Sequence, residues 1–530
     1  VRGLEKLGGF GGVADQLNYF NVIGNNPDLI SDHINKYESV TAKDVSNAAQ
    51  QFLGDTKVEL RVIPIKNLKE AESSFNRSEM PLPTKESSFI APTPSRLELQ
   101  NGLQILSIQR LKLPMVAFGL YLPFGSVDDP KGLPGLVNYT VSMLQEGTSK
   151  HTSKEIAEIL EHKGANISVH VRENGTIIWA ECLQSSLDTI FEIFSEIILD
   201  PAFPKDDMER IRRQKLTDLS RISDDANAIA ARAAKSLLYG LDSPLGHPIY
   251  GDEKSISKVS REDLMACHKS LFGPKGSVLL TAGDFDTDYM VTITKDLFGS
   301  WRSKSTKPAN KNLHSVNRNN KGKIYLINKA GAPQSVIMVG KAMVERSDPD
   351  FLPLTIFNQI IGGEFSSRLN SNLRQDKGYS YGYMSSIKWL NGPSPFFAGG
   401  AVQTEVTREA IIETFNELSD IRDKKPITEI EFNDAINNIL RGLPSNFETI
   451  NQLIDQMSNI ALYQLPDDYY ASYPSELLKV KIKDVQRVAY EYMDQGPDLI
   501  LIIGDMSQLD SKLNNLGYEI VHADSEGRPL

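Results

Sequence analysis

The 530-residue chain is 40% hydrophobic and 8% aromatic, too long for one core and suited to two or three domains. Its 68 acidic residues outnumber 57 basic ones, and the net charge of -11 argues against a general role on nucleic-acid phosphates while favouring a basic or neutral partner. Only two cysteines, Cys182 and Cys267, are present, and no apolar run approaches the roughly 20 residues of a membrane helix, so a disulfide framework, a cysteine metal site and a helical membrane span are all unsupported.

The chain opens on Val1 with VRGLEKLGGFGGVADQLNYF, which has neither an initiator methionine nor a signal-peptide layout and reads as the middle of a longer protein. The compartment is therefore not legible from this end. Gly8 to Gly12 precede no buried strand-to-helix switch, so a turn or hinge is expected there rather than a phosphate cradle.

From this point a helix-then-strand pattern recurs three times, as VTAKDV (40–45), VSREDL (259–264) and VKIKDV (480–485). Its central acids Asp44, Asp263 and Asp484 are 219 and 221 residues apart, and an apolar run starts soon after each, at Val58, Ser277 and Asp498. Each copy predicts an amphipathic helix packed beside a buried strand. Pro114 and Pro333, each between two strand patterns, repeat the offset of 219. This is the signature of a duplicated unit of about 220 residues. The expected divisions are a lobe tail at 1–70, a linker at 71–95, a whole lobe at 96–301, a polar linker at 302–322 and a last lobe at 323–530.

A helical metal site needs two histidines three or four residues apart, and none of the eight present is so spaced. His162 and His170 come closest, but Gly164 and Asn166 between them read as a helix ending and a strand beginning. Neither G-x-S-x-G nor a phosphate-loop motif occurs.

The segment from Asn101 to Asp225 resembles a lobe of the inverzincin metallopeptidases, the pitrilysin/insulinase family. The landmarks are NGLQILSIQR, FGSVDDPKGLPGL, MLQEGT and DPAFPKDDMERIRRQKLTDL, followed by SPLGHPIYG. In that family H-x-x-E-H binds zinc and its Glu activates water. Here Asn138 and Ser142 stand at the ligand positions, Val141 stands at the base position, and Asp218 corresponds to the third ligand. An amide and a hydroxyl are poor zinc ligands, and valine accepts no proton, so this lobe is expected to be inactive and to hold no metal.

GGEFSSRLNSNLRQDKGYSYGYMSS (362–386) resembles the segment in which bacterial members carry an Arg and a Tyr seven residues apart, matched here by Arg374 and Tyr381. Both side chains can donate to a peptide carbonyl or oxyanion. Residues 1–63 resemble the end of a preceding zinc-bearing half. The resemblance implies an α+β fold of repeated lobes, each a mainly antiparallel sheet with helices on one face, curved into a half-shell. It also implies a non-catalytic half that orients unfolded peptide for hydrolysis at zinc held by a partner half, in the same chain or another subunit, with a bacterial periplasmic setting. The competing expectation is a structural or peptide-binding derivative of the fold with no proteolytic role.

Overall fold

The structure, a computed structural model, describes residues 11–53, 89–302, 313, 316–493 and 496–530. The expected strand from Val58, most of the 71–95 connector and part of the 302–322 connector lie outside the described residues. The chain divides into two compact units, Val1–Ile90 and Ala91–Leu530.

In the first unit the described helices are Val13–Gly24, Leu29–Ser39 and Ala42–Phe52, and the first and last of these bury none of their residues. The second unit holds two lobes, each built on a six-stranded sheet. In the first lobe the strands are β1 (Ser95–Glu98), β2 (Gln104–Gln109), β3 (Met115–Leu122), β4 (Asn166–Val171), β5 (Thr176–Leu183) and β6 (Val278–Gly283), in the order β1-β2-β6-β3-β5-β4. In the second they are β7 (Lys323–Asn328), β8 (Gln334–Met343), β9 (Met384–Ile387), β10 (Ser394–Gln403), β11 (Leu499–Gly504) and β12 (Glu519–Ala523), in the order β12-β7-β11-β8-β10-β9. Antiparallel pairings predominate, with parallel register at β2–β6, β7–β11 and β7–β12. This is the expected α+β architecture.

The helices that matter below are, in the first lobe, α1 (Leu136–Ser142), α2 (Leu187–Leu199), α3 (Lys205–Ile222), α4 (Ala226–Tyr239) and α5 (Arg261–Leu271). In the second they are α6 (Phe351–Asn358), α7 (Thr407–Asp420), α8 (Glu429–Gly442), α9 (Ile450–Tyr463), α10 (Tyr469–Leu477) and α11 (Ile482–Met493). The repeated acid has a physical job at the start of a helix. Asp44, Asp263 and Asp484 each accept from the backbone N–H three residues earlier, of Thr41, Ser260 and Lys481, at 2.9 Å in all three cases. A carboxylate there satisfies a donor that the helix itself leaves free and complements the helix dipole.

Every residue of β3, β6 and β11 is buried, the mark of strands covered on both faces. One cover comes from the strand's own lobe: Phe191 and Phe194 of α2 meet Phe118 of β3 edge to face at 5.0 and 5.1 Å. The other comes from the opposite lobe. First-lobe helix α4 lies on β8 and β11, packing Ile229, Ala233 and Leu237 with Tyr325, Val336 and Leu501. Second-lobe helix α9 lies on β3 and β6 and buries Leu453, Ile454 and Met457. The expected helices on one face are thus joined on the second face by a reciprocal exchange of helices.

Cys182 and Cys267 are free and buried. The helix Ser153–His162 ends at His162, and β4 contains His170, so these two histidines lie on different elements. Among the described residues no helix is long and apolar enough to cross a membrane.

Candidate functional site

Helix α1 carries Asn138, Val141 and Ser142, and its start is fixed by the buried Asp129. That carboxylate accepts from Gly135 N at 2.7 Å and Val137 N at 2.8 Å. Gly135 has φ 86, and a Cβ there would meet the Gly251 backbone at 2.5 Å, so only glycine fits. Tyr139 is fully buried and donates to Met208 O of α3 at 2.6 Å. Val141 is likewise buried in the core.

Asn138 and Ser142 lie one turn apart on α1, and what joins them is a lysine from α3. The Lys215 ammonium donates to Asn138 Oδ1 at 2.6 Å and to Ser142 Oγ at 3.0 Å. Ser142 Oγ in turn donates to Asn138 O at 2.7 Å. The same ammonium lies 5.5 Å from the centre of the Tyr139 ring. Burial pushes Lys215 down to about 8, with the Asp218 charge acting the other way. Asp218 itself points to solvent and pairs with Arg221 at 3.7 Å.

This donor set does not fit zinc. An amide oxygen and a hydroxyl are hard, neutral and weak donors, and the third group reaching them is a cation. Among the described residues no three His, Cys, Asp or Glu side chains are grouped as metal ligands. Lys215 escaped the sequence reading, although the signal was present. It lies three residues before Asp218, hence on nearly the same face of α3, and its charge could have marked it as the group facing two polar side chains of α1.

The second lobe presents Arg374 and Tyr381 differently. Arg374 belongs to a π-helical stretch, Ser371–Asp376, and its guanidinium carbon lies 4.3 Å from the centre of the Phe365 ring. Tyr381 is 92% exposed. Neither polar end has a hydrogen-bond partner among the described residues.

The backbone carrying them is nonetheless well tied. Leu373 O accepts from Tyr379 N at 2.8 Å and Ser380 N at 3.3 Å, and Ser380 Oγ donates to Ala401 O of β10 at 2.7 Å. Asn370, fully buried, donates to Phe365 O at 2.6 Å and accepts from Tyr383 N at 3.2 Å. Free donors on an anchored frame are what binding a carbonyl requires.

Comparison with known proteins gives the family of the two lobes. A sequence profile described as insulinase (peptidase family M16) matches residues 104–253, which include Asn138, Val141, Ser142 and Lys215. A second, described as the peptidase M16 inactive domain, matches residues 258–439, which include Arg374 and Tyr381. The chain is 26% identical over 294 residues to the uncharacterized zinc protease ML0855 of Mycobacterium leprae, covering 55% of this chain and 65% of that protein. It is 23% identical to the non-peptidase homolog YmxG of Helicobacter pylori, covering 68% of this chain and 82% of that one. The crystal structure of a peptidase M16 inactive domain from Pseudomonas fluorescens superposes with a TM-score of 0.71 at 22% identity, over 78% of this chain and 98% of the other. The chain belongs to the insulinase family of peptidases, family M16, and includes its inactive domain.

Proposed function

We propose that this chain is the non-catalytic half of a two-half zinc metalloendopeptidase, binding and orienting unfolded peptide for hydrolysis in a partner half. The observation that carries the reading is the contrast at α1. Where the family holds a metal, this lobe has a lysine bonded to an amide and a hydroxyl, while Arg374 and Tyr381 keep their donors free on a fixed frame. In this reading the chain binds no zinc of its own, and Arg374 and Tyr381 hold the peptide carbonyl that the partner half attacks. Residues 1–70 are read as the tail of the zinc-bearing half. The exposed apolar Val22, Ile23, Phe52 and Leu53 suit a segment that packs against the remainder of such a half.

The reading is tested by mixing the purified chain with a half carrying H-x-x-E-H and following cleavage of an unfolded peptide. The chain alone should show no turnover and, after dialysis, no stoichiometric zinc by metal analysis. The mixture should cleave. Tightly held zinc in this chain, or cleavage by this chain alone, would refute the assignment. Failure of every such mixture to exceed the activity of the zinc-bearing half favours a peptide-binding role without proteolysis, the reading to which a relative named as a non-peptidase homolog lends support.

A further inference from the structure

Where the β4–β5 hairpin of the first lobe meets the second lobe, the two line a half-open cavity of about 430 Å³. That volume is within the range of small-ligand sites. Its walls combine guanidinium groups, aromatic rings and a buried carboxylate. Arg346, 9% exposed, has its guanidinium carbon 3.4 Å from the centre of the Phe351 ring, 5.2 Å from that of Tyr469 and 5.5 Å from that of Tyr463. It donates to Tyr469 Oη at 2.6 Å, and no carboxylate pairs with it among the described residues. Arg172, half-buried in the wall, has one side-chain hydrogen bond, to Asn459 Oδ1 at 3.4 Å, and the charge of Asp455 acts on it without a direct ion pair among the described residues. A guanidinium held out of water without an anion is costly, and aromatic faces offset only part of that cost.

The third wall is Glu173, 2% exposed. Its Oε1 accepts from Lys235 and from Lys388, each at 2.8 Å. Its Oε2 is buried and has no hydrogen-bond partner among the described residues. The two ammonium groups on Oε1 outweigh the carboxylate's single charge, and Oε2 remains an unused acceptor. The remaining lining includes Trp389 and the rings around Arg346.

We propose that this cavity binds an α-amino carboxylate with an aromatic or large apolar side chain, namely the C-terminal residue of a peptide. The carboxylate pairs with Arg346 and Arg172, the N–H of the same residue donates to Glu173 Oε2, and the side chain lies among the aromatic rings. A free phosphate would leave the rings without purpose, and a neutral apolar ligand would leave the Arg346 guanidinium without an anion. That the source is a peptide rests on the proposed role as a peptide-binding half. A free amino acid offers the same chemistry, and the test separates the two.

The isolated chain is titrated with N-acetyl-L-phenylalanine, with its carboxamide and with free L-phenylalanine, by calorimetry and by tryptophan fluorescence, which Trp389 should report. N-acetyl-L-phenylalanine should bind, the carboxamide at least tenfold more weakly, and the free amino acid no better than the acetylated one. Arg346→Met should weaken the acid at least tenfold. Because Arg346 also packs among the rings, Arg172→Gln is the second variant and should weaken the acid several-fold with an unchanged melting curve. Equal binding of acid and carboxamide, no binding of either, or retention of affinity in both folded variants would overturn the site. Free phenylalanine binding while the acetylated form does not would overturn the peptide source. Arg374→Ala and Tyr381→Phe should leave these titrations unchanged, so failure of the cavity and failure of the proposed function give different results.

Discussion

The Asn138–Ser142 segment in the first lobe and the Arg374–Tyr381 segment in the second are both polar, yet their side chains are spent differently. In the first, Asn138, Ser142 and Lys215 are bonded to one another, with Tyr139 and Val141 locked in the core beneath them. In the second, the hydrogen bonds are made by backbone, Asn370 and Ser380, while the guanidinium and the phenol are left over. Polar groups that satisfy one another contribute to folding; polar groups that the fold supports but does not satisfy are available to a ligand.

The contrast predicts a double dissociation, in which the second-lobe pair governs turnover and the first-lobe cluster governs stability. In a reconstituted two-half enzyme, Arg374→Ala should have the largest effect, lowering kcat/KM by at least roughly 10²-fold because it removes charge as well as donors. Tyr381→Phe removes one donor with little change of shape and should lower kcat/KM by roughly 10²-fold, about 2.7 kcal/mol. Neither change should move the melting temperature, and wild-type kinetics in both variants would remove the distinction between the lobes.

Lys215→Met should leave kcat/KM unchanged and act on stability with a specific pH signature. Burial lowers the ammonium from its ordinary 10.5 to about 8 in the folded chain, so between those values the unfolded chain binds the extra proton. Wild-type stability therefore rises with pH across that window, and relative to Lys215→Met it should gain about 2 kcal/mol between pH 8 and 10.5. Urea unfolding at several pH values measures this. A difference independent of pH would mean that the ammonium is not held away from water as the geometry indicates. The smallest effect belongs to Asp218→Asn. Its carboxylate is exposed in a local pair, so stability should shift by no more than about 0.5 kcal/mol and turnover not at all.

The sequence carried the repeat because helix capping and strand burial are local. Asp263 and Asp484 cap α5 and α11 from within the same turn, and Pro114 and Pro333 lie immediately before β3 and β8. The poor fit of Asn138, Val141 and Ser142 to zinc was also readable, since ligand chemistry is a property of residue type. Lys215 was missed because it comes from a helix more than 70 residues away in sequence, and its role appears only when α3 lies beside α1. The helix exchange was hidden for a related reason. The sequence ANAIAARAAKSLLY announces a helix with apolar surface but does not name the sheet it will cover. The paired lysines on Glu173 draw on both lobes at once, and no spacing within either lobe encodes that meeting.

The exchange of α4 for α9 bears on how the molecule comes apart. A sheet whose second cover belongs to its neighbour cannot keep its core when that neighbour melts, so the two lobes should unfold in a single calorimetric transition despite having separate sheets. A chain cut between Arg302 and Gly322 should accordingly behave as a pair of mutually dependent fragments. Each should be poorly soluble when expressed alone, and the two should be recovered together, folded, when co-expressed.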